Sequence, residues 1–319
     1  MRNVKDLLAK LLWLGLLFLS CHMPAQAQSC SSNDNLRTCN LGGTHNLNYQ
    51  SNTKEIAFTL RSRSSFGGRA YSYYAELAPL SGNTFTLTAD NGDTLDIAFT
   101  LDPSNSDAQS LTLNNLAGPF NGSRNDTNAS LLVEINNAKT PSSNQYTGSF
   151  QLTLEQYFLI FVTDSETVDF DIVLEVEPNI VIRSLGDIDL SNSGISFGQP
   201  IEGQEDFCIG GIGFDRYTVN LSSGNGSTGS TGGSGISPYA LKGAAESMAY
   251  SVSFSDDLNG SSAKSPNNQG DIPGSFVRQS NETCVSDNAR VTISVAPSDW
   301  EQAGEPIYTD VLTVTVSSQ

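Results

Sequence analysis

Acid–base and nucleophilic chemistry need few residue types, and this sequence is sparing with them. Beyond the first 27 positions it holds a single histidine, His45, set among polar residues and read as an ordinary loop residue. One histidine is enough for a Ser-His-Asp relay, but nothing in the sequence ties a serine and a carboxylate to this one. Carboxylates are abundant, yet no pair stands out as an acid and a base. Asp90-Asn91-Gly92-Asp93, Asp102, Asp256 and Asp257 offer oxygen ligands. Calcium takes six to eight oxygens from a defined loop, and the EF-hand spacing is missing, so turn chemistry accounts for them. Gly224-Asn225-Gly226-Ser227-Thr228-Gly229 matches a dinucleotide fingerprint in letters only. The pyrophosphate needs a helix start behind the loop, whereas more Gly and Ser and then Pro238 follow. No catalytic residue, cofactor or metal is assigned, and an enzyme is not expected.

Binding chemistry is better represented. Arg61 to Tyr74 concentrates three basic residues and four aromatics in an acidic chain. Exposed aromatics wedge into apolar or sugar surfaces, and guanidinium forks bind carboxylates. Arg61, Arg63, Phe66, Arg69 and Tyr71 form the candidate adhesive loop. The competing reading turns Tyr71 and Tyr73 into the core and leaves the arginines solvated.

Elements that could position such a loop are β-strands. Short alternating runs bounded by Asn, Gly, Ser and Asp replace helical periodicity, the pattern of an all-β sandwich. Strands are expected near Glu55–Leu60, Ala70–Leu77, Thr84–Thr88, Thr94–Phe99, Ser110–Leu113, Leu131–Ile135 and Ser149–Leu154, with Asn91-Gly92 as a hairpin turn. Phe170–Val176, Ile180–Leu185, Arg216–Leu221, Ala249–Phe254, Arg290–Val295 and Val311–Val316 continue the series. Ser222 to Ser237 reads as a flexible Gly/Ser loop, and Glu246–Met248 as one helical turn at most. Polar Thr163 to Thr167 marks the expected boundary between domains 28–162 and 163–319.

The two halves end alike. Tyr146, Phe150, Leu152 and Leu154 recur 162 residues later as Tyr308, Leu312, Val314 and Val316. Strand side chains alternate faces, so each copy puts a tyrosine and three apolar residues on one buried face.

Residues 1–27 read as a secretory signal: Arg2, Lys5 and Lys10, the apolar run Leu11 to Leu19, then Ala25-Gln26-Ala27. Cys21 resembles an acylation site, but the Ala-x-Ala site lies just downstream. Removing that segment leaves 13 basic against 33 acidic residues, which argues against nucleic acid or anionic membrane as partner. It also leaves Cys30, Cys39, Cys208 and Cys284, for which three disulfide connectivities exist. The simplest follows the domains, Cys30 with Cys39 and Cys208 with Cys284.

The second half resembles subunits of bacterial chaperone–usher pili, in particular the archaic branch with spore coat protein U-like domains. The matching features are a Cys followed by Tyr217-Thr218-Val219-Asn220-Leu221-Ser222, a Gly-rich loop, Met248 to Asp256, and the closing Tyr308-x-Asp310-x-Leu312-Thr313-Val314-x-Val316. The late position of Cys284 departs from the family pattern. The resemblance implies immunoglobulin-like sandwiches, the second lacking its last strand, with Tyr308, Leu312, Val314 and Val316 lining an open groove. It implies a periplasmic chaperone, an outer-membrane usher and a neighbouring subunit as partners, and export through the periplasm to the cell surface. The polar start Gln28 to Arg37 is a poor donor strand, which places the expected adhesive subunit at the fibre tip. A secreted carbohydrate-binding or coat protein with two complete sandwiches is the alternative.

Overall fold

The computed structural model describes residues 34–51, 54–65, 67–136, 139–158, 161–226, 228–229 and 236–319. The expected signal segment, Cys21, Cys30 and Phe66 lie outside the described residues. Strand is the dominant element, and the hydrophobic side chains gather in two cores.

The first core is enclosed by β1 (Leu36–Cys39), β2 (Gly43–Asn48), β3 (Glu55–Ser62), β4 (Tyr73–Pro79), β5 (Thr86–Thr88), β6 (Thr94–Pro103), β7 (Gln109–Leu111), β8 (Ala117–Phe120), β9 (Ser123–Ile135), β10 (Gln145–Phe158) and β11 (Phe161–Glu175). Their order is β1-β3-β9-β6-β5-β10-β11-β2, with β4 beside β10. Strand β6 turns the corner: its start pairs with β5 and the rest with β9. Alternation decides what faces inward. Leu95, Ile97, Phe99 and Leu101 of β6 are buried while the residues between them are not. Phe99 meets Phe150 edge-on at 5.0 Å and Phe150 lies 5.8 Å from Phe170, which ties the two layers together. Each fully buried ring contributes roughly 1.5–3 kcal/mol through burial.

The expected domain boundary is corrected. Thr163 to Thr167 lies inside β11, which pairs with β10 along its whole length. The long hairpin gives those polar residues partners, so polarity alone did not mark a linker. Val168, Phe170, Ile172, Leu174 and Val176 all enter the first core, and the chain crosses over at Glu177 and Pro178. His45 is not in a loop: it sits in β2 with Nε2 2.6 Å from the Leu41 carbonyl oxygen.

The second core lies between β12 (Asn179–Arg183), β13 (Ile201–Ile212), β14 (Arg216–Ser223), β19 (Ser251–Ser255), β20 (Phe276–Val277), β21 (Ala289–Val295) and β22 (Leu312–Ser318). Two small hairpins intervene, β15 (Thr228–Gly229) with β16 (Ile236–Ser237) and β17 (Ala240–Lys242) with β18 (Ser247–Ala249). The first of these falls in the expected Gly/Ser loop. The helical turn expected at Glu246–Met248 is strand instead; the short helix α1 is Pro297–Trp300, where Pro297 opens the first turn. One sheet has the order β12-β13-β21-β19 and the other β20-β14-β22. In chain order these are strands A, B, E and D facing C and F of an immunoglobulin-type sandwich. Cys208 of β13 is bonded to Cys284. Cys39 is also disulfide-bonded.

The junction is tied by one side chain. Arg278, 7% exposed, donates to the carbonyl oxygens of Gly211, Phe214 and Gln279 in the second unit and of Thr140 and Pro141 in the first. Gly213 N–H adds a bond to Pro141 O at 3.0 Å.

Candidate functional site

Strand β22 forms an edge of the second sandwich. It pairs with β14 from Leu312 through Ser318, and among the described residues nothing pairs with its other edge. The seventh strand of an immunoglobulin-type fold, G, would lie there. In its place runs a groove of about 990 Å³ between β22, β21 and the extended segment Leu185–Asn192. Its floor is apolar: Ile188, Leu190, Ile201, Val291, Ile293 and Val314 all line it. Leu312, Val314 and Val316 turn toward the core but stay half-buried, while Thr313 and Thr315 point to solvent. The rim is acidic, with Asp187, Asp189, Glu305 and Asp310. Asp310 is already engaged, accepting from the Tyr250 and Ser223 hydroxyls at 2.6 Å each. Burial, and then this carboxylate, push the Tyr250 phenol well above its ordinary value.

The same molecule contains the closed version of this arrangement. Strand β10 carries the residues that recur in β22, and it is flanked on both edges, by β4 and β5 on one side and β11 on the other. Phe150, Leu152 and Leu154 are therefore 1% exposed each, where their counterparts in β22 are half-buried. The two tyrosines also match in detail. Tyr146 Oη accepts from Ser142 N–H and donates to Asp93 Oδ2 at 2.6 Å. Tyr308 Oη accepts from Glu305 N–H and donates to Glu246 Oε2 at 2.5 Å. Each hydroxyl fastens the loop entering its strand, the logic of a tyrosine corner. The sequence alignment of the two halves therefore has a structural basis, and what separates the copies is the covering strand.

No family model matches the chain. No curated protein matches it either. Among solved structures it is similar to the CsuE tip adhesion subunit in complex with the CsuC chaperone, from archaic chaperone–usher Csu pili of Acinetobacter baumannii. That match is 12% identical, covers 86% of this chain and 98% of the other, and has a TM-score of 0.40. The CupB6 tip adhesin from Pseudomonas aeruginosa matches at 9% identity, covering 83% and 86%, with a TM-score of 0.38. CfaE, the adhesive subunit of CFA/I fimbria of enterotoxigenic Escherichia coli, matches at 10%, covering 87% and 98%, with a TM-score of 0.31. At these values the site is read from its own geometry.

The first sandwich has a free end remote from the junction. Strand β10 starts near Pro141, which contacts the second unit, and runs 14 residues to Phe158, roughly 45 Å at strand rise. Beyond it β11 opens with Phe161, 66% exposed, and Val162, 48% exposed. In sequence Tyr157 to Val162 is six apolar or aromatic residues in a row, and its described residues close β10 and open β11. The candidate adhesive loop emerges at this same end. Gln156, next to the hairpin, donates to Ser62 Oγ and the Arg63 carbonyl oxygen, and Arg63 pairs with Ala70 across the loop base.

Within that loop the candidates separate. Arg61 is 6% exposed and bonds the Asp34 carbonyl oxygen, so it is corrected from a contact residue to a buried one. The chain before β1 folds over it, which period-two counting along β3 could not anticipate. Arg63 is half-buried with Nε 3.3 Å from Asn35 Oδ1, Arg69 is exposed, and Tyr71 is half-buried. Tyr73 is the aromatic that enters the core.

Other chemical candidates resolve into structure. Asp93 gathers Ser142, Tyr146 and Lys139 around its carboxylate, and Asp257 accepts from the backbone of Asn259, Ser261 and Ser262. Gly194-Ile195-Ser196-Phe197-Gly198 matches a nucleophile elbow in letters, which the sequence reading overlooked. It lies in turns with neither the strand nor the helix of that motif. Among the described residues no three His, Cys, Asp or Glu converge to hold a metal.

Proposed function

We propose that this chain is an adhesive subunit of a chaperone–usher pilus, completed in its second sandwich by a strand from another chain. The observation that carries the reading is the free edge of β22 over a half-buried apolar groove, beside an internal copy of the same strand that is covered. Unpaired strand edges above apolar floors are hazards that proteins cover, and β-augmentation is the direct way to cover this one. A periplasmic chaperone and then a neighbouring subunit would supply the strand, with an outer-membrane usher passing the subunit outward. The apolar hairpin end and the Arg63–Ala70 loop, at the far end from the junction, would make the contact with a surface. That arrangement suits the tip of a fibre.

The test extends the full chain after Gln319 with a short linker and a segment alternating like Val168, Phe170, Ile172, Leu174 and Val176. The extended chain should be a soluble monomer with a higher melting temperature, and a copy shifted by one residue should give no gain. Equal stability for all three chains would overturn strand acceptance and favour a secreted protein with two self-contained sandwiches.

A further inference from the structure

We infer that the strand completing the second sandwich is cationic on its outward side, carrying Lys or Arg at alternate positions beside Asp187 and Asp189. The inference rests on strand acceptance and adds the chemistry of the partner. Both walls of the groove offer unpaired main chain. Strand β22 pairs with β14 on one edge only, and among the described residues Leu185 to Ser191 forms no backbone-to-backbone hydrogen bond. Gly186 N–H finds the Glu205 side chain instead. A strand lying between the two walls would bond both, and its side chains would alternate between the apolar floor and solvent.

The solvent side of that space is charged. Along one wall Ile188 and Leu190 pack against the core, while Asp187 and Asp189 between and before them are exposed and have no hydrogen bond or ion pair among the described residues. Along the other wall the outward residues are the neutral Thr313 and Thr315 of β22. The mouth adds Glu305 and Asp310, whose carboxylates are held in place. Glu305 accepts from the Ala244 and Ala245 N–H groups, and Asp310 from the Tyr250 and Ser223 hydroxyls. No Lys, Arg or His lines the groove. Arg183 precedes one wall and Lys242 bridges to Thr309 through its main chain, but neither is part of the lining. On adjacent strands, opposite charges side by side stabilise and like charges destabilise. Outward Lys or Arg therefore fits beside Asp187 and Asp189, and Asp or Glu is disfavoured there. The groove thereby discriminates between completing strands of equal hydrophobicity.

The test appends the same alternating segment to the full chain after Gln319 in three versions. They are identical on the inward side and carry Lys, Ser or Glu at every outward position. At low ionic strength the melting temperature should fall in the order Lys, Ser, Glu, by about 2 °C or more at each step. Salt at about 0.5 M should shrink both steps at least twofold. Asp187→Asn with Asp189→Asn should erase the gap between the Lys and Ser versions, and lysines moved into the linker should not reproduce it. No gain from any version would overturn strand acceptance and this inference together. Equal gains from all three, an order that persists in the double Asn variant, or a matching gain from linker lysines would overturn the cationic strand alone and leave strand acceptance standing.

Discussion

Glu166 is an inward position on β11, two residues before Val168, so its carboxylate meets the distal margin of the first core. Thr38 donates to Oε1 at 3.4 Å, while Oε2 is buried without a partner. Burial, aided by Asp34 and Asp164, pushes its pKa from 4.5 up to about 7. The folded chain then binds more protons than the unfolded one between these values, so this group's contribution to stability is complete below about pH 4.5 and is lost as pH rises to about 7. Glu166→Gln should raise the melting temperature at pH 8 and leave it nearly unchanged at pH 4. Equal shifts at both values would show that the carboxyl does not titrate in this range. A second residue-level contrast lies in β22. Val314→Asp puts a charge on the groove floor, whereas Thr315→Asp adds one to the solvent side. The first should lower the melting temperature clearly more than the second and abolish the stabilisation given by an appended strand. A reversed ranking in thermal melts would mean that the strand faces the other way.

At the scale of elements, the alternation of β6, β10 and β22 was legible because period two survives wherever one face is buried. The recurrence of Tyr146 and Tyr308 pointed to two related sandwiches for the same reason. Strand β11 was not legible as a continuous element. Its first half, Phe161 to Thr167, starts with two exposed apolar residues and continues as polar residues on a solvated hairpin, and composition there mimics a linker. Arg61 misled in the opposite direction: a charged residue at an outward position reads as exposed, but residues 34 and 35 pass over it. The family resemblance implied a groove along the closing strand, and Tyr308, Leu312 and Val314 line the one described whereas Val316 does not; the segment Leu185–Asn192 that forms its other wall gave no strand signal. The β10–β11 hairpin also defines a prediction. Phe161→Ser with Val162→Ser should reduce attachment to an apolar surface several-fold at unchanged melting temperature, since both are exposed. Tyr71→Ala, at a half-buried position, should lower melting temperature as well. Attachment and thermal melts on the same variants separate the two, and undiminished attachment by the serine pair would remove the hairpin from the contact surface.

For the whole molecule, what matters is how the two cores are joined. Three residues, Val176 to Pro178, link β11 to β12, a length that by itself would permit a hinge. Arg278 prevents that by satisfying carbonyl oxygens of both units with one guanidinium, which is buried and lies 5.6 Å from the Phe214 ring. Arg278→Met keeps much of the volume but removes these bonds and leaves Pro141 O only the Gly213 N–H. Small-angle scattering should then report a broader distribution of overall dimensions while the disulfide-linked second sandwich stays folded. An unchanged scattering profile would show that the linker alone sets the geometry. The clamp has a mechanical meaning. A stiff joint makes the first sandwich a lever arm, so sideways drag at its free end reaches the second sandwich as torque rather than being dissipated by swivelling. The strand that completes the groove would then have to withstand that torque, and the grip of such a fibre on a moving surface would be limited by its joints before its contact.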